Sequence, residues 1–138
     1  LVLDKTPLAE LCRDGKYTPL SVNGAAIWAG ELLNEAVRLG FSVQRIGLQE
    51  SESLSRSVIG GPHHPALGEL ARSAALSFSL KTKNPEGPWN LPSRSVSLLT
   101  GHGEYGFRLL SEITGLPLSE TKHRVFFSNG DTMQPKFI

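Results

Sequence analysis

The stretch Gly60-Gly61-Pro62-His63-His64-Pro65-Ala66-Leu67-Gly68-Glu69-Leu70 decides how the rest of the chain is read. Glycines and prolines punctuate it, two histidines stand side by side between the prolines, and an apolar-periodic run begins at Leu67. Such a composition marks a stiffened hinge leading into a helix, with Pro65 at the first helical position and His64 just before it. The helix is expected to reach about residue 73, with Leu67, Leu70 and Ala71 on its apolar face. Adjacent histidines point in different directions, and neither has a His or Cys partner at a ligand spacing such as i, i+4. The pair therefore reads as part of the hinge before it reads as a metal centre.

Upstream of the hinge, Leu1 to Asp4 is a short apolar run ending at Thr6-Pro7, an N-cap followed by the residue type favoured at the first helical position. A short helix from Pro7 to about Arg13 follows, with Gly15 placed for a left-handed C-terminal cap. Ser21 caps a longer helix in which Val22, Ala26, Ala29, Leu32, Leu33, Ala36 and Val37 recur at helical spacing, while Glu31, Glu35 and Arg38 take the other side. Gly40 ends it, and Phe41 to Leu48 reads as a strand. Strand, helices, strand is the repeat expected at the closing edge of a parallel α/β barrel. Chemistry in such barrels sits at the carboxyl ends of the strands, which makes Arg45, Gln49 and the loop from Glu50 to Ser55 candidate pocket elements. The simpler reading of Arg45 is a barrel-rim arginine held in an ion pair, because one arginine at a strand end has little specificity by itself.

Downstream, Leu76, Phe78 and Leu80 alternate with Ser77, Ser79 and Lys81, the pattern of a half-buried strand from Ala75 to Thr82. Asn84 to Pro92 carries three prolines and a glycine and reads as loop, with Trp89 as a packing anchor. Asn129-Gly130 is a turn signal, with a further strand expected near Met133 beside Val125 to Phe127.

Bulk properties narrow the function classes. The chain has 138 residues, enough for one ordinary domain or two small units. Lys and Arg number 14 against 13 Asp and Glu, so the formal charge is +1 and no global electrostatic case for a polyanion partner arises. Cys12 is the single cysteine; it excludes an internal disulfide framework, suits a reducing, cytoplasmic setting, and reads as a small buried apolar residue. Apolar runs are too short for a spanning helix.

Tyr17-Thr18-Pro19-Leu20-Ser21, Arg45-Ile46-Gly47-Leu48-Gln49 and the hinge, in that order, resemble the end of a bacterial radical SAM protein related to Elongator protein 3. The resemblance implies closing βα elements of a partial TIM-like barrel over residues 1–60. It also implies a parent that holds a 4Fe-4S cluster through a CxxxCxxC motif, with S-adenosylmethionine on the remaining iron. With one cysteine the chain supplies no such cluster and is expected to be inactive alone. Leu1-Val2-Leu3-Asp4, which begins in mid-strand without an initiator Met, agrees with a piece of a longer protein. Arg45, Gln49, His63 and His64 would then face a substrate or cofactor pocket, and the upstream barrel would be the chain's partner. An exposed barrel edge would favour a homodimer.

Leu98 to Gly115 resembles the centre of a KH domain. There a helix runs into a GxxG loop, here Gly101-His102-Gly103-Glu104, and a second helix, here Tyr105 to Ile113, turns Phe107 and Leu110 inward. Strands at Ala75 to Thr82 and His123 to Phe127 would complete a small KH-like α+β unit over residues 61–138. Glycines there let backbone amides approach a sugar-phosphate chain, whereas Glu104 opposes phosphate. The loop is open to two readings, RNA contact or scaffold. If RNA, transfer RNA is the substrate the resemblance suggests.

Overall fold

A computed structural model describes residues 1–129. Strand β1 (Val2–Leu3) leads into helices α1 (Pro7–Arg13) and α2 (Val22–Arg38), and after an irregular stretch come α3 (Glu52–Ser57) and β2 (Val58–Gly60). Then follow α4 (Leu67–Lys83), β3 (Trp89–Pro92), a 3-10 turn (Ser93–Ser95), α5 (Val96–Thr114), α6 (Leu118–His123) and β4 (Val125–Ser128). The result is a small mixed α/β domain of six helices and short strands; β1 pairs antiparallel with β2, β3 pairs parallel with β4, and the described residues close no barrel. The turn signal at Asn129-Gly130 and the strand expected near Met133 fall across or beyond residue 129 and lie outside the described residues.

The first helices start where their caps dictate. Thr6 Oγ1 accepts from Ala9 N at 3.2 Å with Pro7 opening α1, and Ser21 Oγ accepts from Gly24 N at 3.0 Å at the head of α2. Helix α4 lies between α2 and α5. On its α2 side the backbones nearly touch: a Cβ on Gly30 would lie 2.9 Å from Ala71 O, Ala74 Cβ and Ala75 N alike. Asn34 Nδ2 donates to Ala75 O at 2.9 Å across the same contact. On its α5 side Ser77 Oγ donates to Gly106 O at 2.8 Å.

This double packing overturns the strand expected over Ala75 to Thr82, because α4 runs unbroken to Lys83. Leu70, Ala71, Ser73, Ala74, Ala75, Leu76, Ser77 and Leu80 are all buried. A helix covered on two sides loses the single apolar stripe that announces it, and the alternation of Leu with Ser imitates a strand. The strand instead forms at Trp89–Pro92, within the segment expected to be loop. Trp89 and Leu91 point inward and Asn90 outward, in parallel register with Val125, Phe127 and Phe126. Trp89 is 2 % exposed, and its indole N–H is shared between Leu80 O at 3.0 Å and Asn84 O at 2.8 Å. Leu76, Leu80, Leu99, Phe107 and Leu110 close the core around it.

The strand expected over Phe41 to Leu48 is also absent. Phe41 N donates to Ala36 O, and residues 42–48 make no backbone hydrogen bond among the described residues. A strand is defined by its neighbour, and no neighbour lies beside this stretch. Leu32, placed by periodicity on the inner face of α2, is 67 % exposed; the inner face is Ala26, Gly30 and Leu33. No helix among the described residues is long and apolar enough to cross a membrane.

The crossing at Gly30 carries a direct expectation. Gly30→Ala should lower unfolding stability by about 1–3 kcal/mol, the usual cost of overpacking. Gly101→Ala, where a Cβ meets nothing within 4 Å, should leave it nearly unchanged; urea denaturation of both variants is the check.

Candidate functional site

The hinge and the segment just before α3 place three polar side chains, His63, His64 and Glu50, around one cleft. His63 Nε2 lies 2.6 Å from Glu50 Oε1, close enough for an ion pair, yet this buried nitrogen makes no hydrogen bond because the N–H direction misses the carboxylate. The misaligned N–H makes it a positioning contact more than an aligned bond. His64 Nδ1 accepts from Ala66 N at 3.0 Å, satisfying an amide at the head of α4 and leaving the proton of the neutral ring on Nε2. A cleft of about 210 Å³ opens here, lined by Leu1, Ile46, Gly47, Leu48, Glu50, Leu54, Pro62, His63, His64, Pro65, Leu67 and Gly68.

The second motif reaches the same place from the far side of the sequence. Helix α5 breaks at Gly101, and His102, Gly103 and Glu104 all turn left-handed, with φ of 55°, 68° and 63°. For His102 and Glu104, which carry a Cβ, that backbone costs on the order of 1–2 kcal/mol each. Side-chain contacts hold the turn. His102 Nε2 meets Glu69 Oε2 at 2.6 Å, and the His64 and His102 rings stand edge to face with centroids 6.3 Å apart. Glu104 pairs with Lys122, whose ammonium also lies 6.0 Å from the centre of the Phe107 ring. The carboxylate that would oppose a phosphate is thus already neutralised.

Close packing fixes the angle between the two halves of α5. A Cβ on Gly106 would lie 2.4 Å from Leu98 O and 2.8 Å from Leu99 Cα, so the second half passes hard against the first. Phe107 and Leu110 point inward, as the pattern requires. Tyr105 donates its hydroxyl to Asn23 Oδ1 at 2.7 Å, tying the turn to α2, and burial pushes the phenol pKa up.

Of the residues singled out in the sequence, His63, His64 and His102 share this neighbourhood. Arg45 is exposed, and Gln49 sits outside the cleft, in a shallow depression with Leu3, Leu48, Ser51, Ser53, Leu54 and Ser57. Sequence reasoning passed over Glu69 and the pairing of Glu50. Glu69 lies 33 positions from the histidine it meets, and no local spacing announces such a pair. No group of three or more His, Cys, Asp or Glu among the described residues is arranged to hold a metal ion.

Because the His102–Glu69 pair is largely exposed, its loss should be felt locally. Glu69→Ala is expected to speed amide hydrogen exchange of residues 102–104 severalfold while changing global stability by no more than about 1 kcal/mol. Exchange followed by NMR, beside a urea titration, separates the two effects.

Compared with known proteins, residues 1–75 match the Radical_SAM C-terminal domain family. No curated protein and no solved structure matches the chain. That family implies a 4Fe-4S cluster and S-adenosylmethionine in the whole enzyme, and the residues present here do not fit the cluster. Three thiolates are needed, and Cys12, half-buried on α1, is the one cysteine of the sequence.

Proposed function

The chain belongs to the Radical_SAM C-terminal domain family, and from that premise we propose that it is the accessory, substrate-facing end of a radical SAM enzyme. It docks on the domain that carries the cluster and S-adenosylmethionine. The distribution of exposed apolar side chains carries this reading. Among the described residues, and apart from Val96 and Phe126, the large hydrophobics left exposed all precede the hinge: Leu11, Tyr17, Leu20, Trp28, Leu32, Leu39, Phe41, Val43, Leu48 and Ile59. A patch so concentrated marks an interaction face. Trp28, Leu32 and Phe41 stand at 63 %, 67 % and 67 % exposure, and Phe41 leads directly into residues 42–48, whose backbone pairs with no other among the described residues. Phe41 and Val43 alternate beside backbone N–H and C=O groups that pair with no other backbone, which is what strand addition to a neighbouring sheet requires. In this reading the 41–48 strand forms on docking, Arg45 and Gln49 come to the interface, and the cleft beside His63 and His64 faces substrate. Residues 1–60 would be the docking part and residues 61–138 the recognition part.

Mixing this chain with the cluster-bearing domain of the same protein, each purified separately, tests docking. Association should shift the emission of exposed Trp28 to the blue. Phe41→Asp together with Val43→Asp should weaken it by at least tenfold, given about 1.5–3 kcal/mol for each large apolar side chain buried. Failure to associate, or indifference to those substitutions, refutes the docking reading. Self-association through the same face would assign it to a homodimer instead.

One observation favours RNA, transfer RNA in particular, as the substrate. Between parallel strands β3 and β4, helix α5 is interrupted by the left-handed Gly101-His102-Gly103-Glu104 turn, a helix, loop, helix order like that of KH domains, with Glu104 neutralised by Lys122. Labelled transfer RNA titrated at two salt concentrations should bind more weakly at the higher one. Gly103→Asp, which adds a carboxylate at the turn, should abolish the binding. Salt-insensitive binding, or none, makes the turn scaffold.

A further inference from the structure

We infer that the cleft between residues 46–54 and the hinge is a nucleobase slot whose reader is Glu50, and that the base it selects presents two adjacent N–H donors, as guanine does. The inference rests on the substrate-facing reading of this cleft and names its ligand class. Size is the first argument. At about 210 Å³ the cleft falls below the roughly 300–1,000 Å³ of pockets that enclose a whole ligand, so it takes one planar ring system and leaves the remainder outside.

Lining is the second argument. Ile46, Leu48, Leu54 and Leu67 give it apolar walls, into which Glu50 introduces a carboxylate. His63 stands 2.6 Å from one carboxylate oxygen, and Ser55 Oγ donates to the other at 3.1 Å. A carboxylate has about four lone-pair sites, and with Ser55 the one hydrogen-bond donor to it among the described residues, each oxygen keeps at least one free. Two parallel acceptors match two parallel donors, the geometry that makes bidentate carboxylate recognition selective. The ring N–H and neighbouring amino group of guanine supply that pair. Adenine offers an amino group beside a ring acceptor, which the second oxygen repels. A quaternary ammonium ligand is disfavoured because no Trp, Tyr or Phe lines the cleft to form an aromatic cage. His63 acts through Glu50 as a positioning residue.

The test titrates guanosine, inosine and adenosine into the 138-residue chain, with binding read from NMR signals of the His63 and His64 rings. Guanosine should bind at least tenfold more tightly than inosine, which lacks the amino group, and adenosine more weakly still. Glu50→Gln should reduce guanosine affinity at least tenfold, and Leu54→Trp, which fills the slot, should abolish binding; circular dichroism of both variants confirms folding. His63→Ala should weaken guanosine binding while preserving the order of the three nucleosides. Equal binding of adenosine, indifference to Glu50→Gln in the folded protein, or no response to any nucleoside overturns the assignment. None of these outcomes bears on the docking test, which reads Phe41 and Val43, neither of which lines the cleft.

Discussion

The contact on which the rest depends is the crossing of α2 and α4 at Gly30, where the two backbones approach as closely as the absence of a side chain permits. Ala71, Ala74 and Ala75 form the opposing surface, and Asn34 binds a carbonyl of the partner helix. This proximity holds α4 in the middle of the domain, with α5 on its other side, and so fixes where the first turn of α4 emerges. The hinge histidines and Glu69 inherit their positions from it. A second close crossing, at Gly106, sets the angle at which α5 leaves its left-handed turn. Both devices use missing volume in place of added contacts, since interiors packed to crystal density respond to a single methyl group.

Upon that frame the polar side chains form short bridges between distant parts of the sequence. Glu50 meets His63, Glu69 meets His102, and Glu104 meets Lys122. These groups are partly or largely exposed, so their worth lies in orientation more than in stability. They hold a backbone turn that two of its residues disfavour and they aim a carboxylate into the cleft. The division of labour is clear in the burial pattern. Residues after the hinge enclose the hydrophobic core around Trp89, and residues before it carry all but two of the exposed large apolar groups among the described residues.

Much of this was legible in the sequence where a local device did the work. Thr6-Pro7, Ser21 and Gly40 bound the first two helices because caps act within a few residues. Phe107 and Leu110 were placed inward because the second half of α5 buries one face. Ala75 to Thr82 misled because its serines are buried at a helix crossing, where small size counts and polarity is absorbed by carbonyls such as that of Gly106. Phe41 to Leu48 has the period of a strand, but a strand needs a second chain of hydrogen bonds beside it. The candidate site was half legible: His63, His64 and His102 were visible as motifs, whereas Glu69 as their companion depends on how α4 and α5 are folded together. Arg45 and Gln49 were chosen by analogy with barrel strands, and without the strand their places lie outside the cleft.

The bare stretch from residue 42 to 48 also bears on the life of the chain in a cell. An irregular segment with exposed apolar side chains and backbone groups that pair with no other backbone offers what proteases and holdase chaperones grip. Whatever covers it removes that handle. If the docking proposed above is what covers it, copies made in excess of their partner would be the first cleared, and stoichiometry would be enforced by turnover without a dedicated regulator.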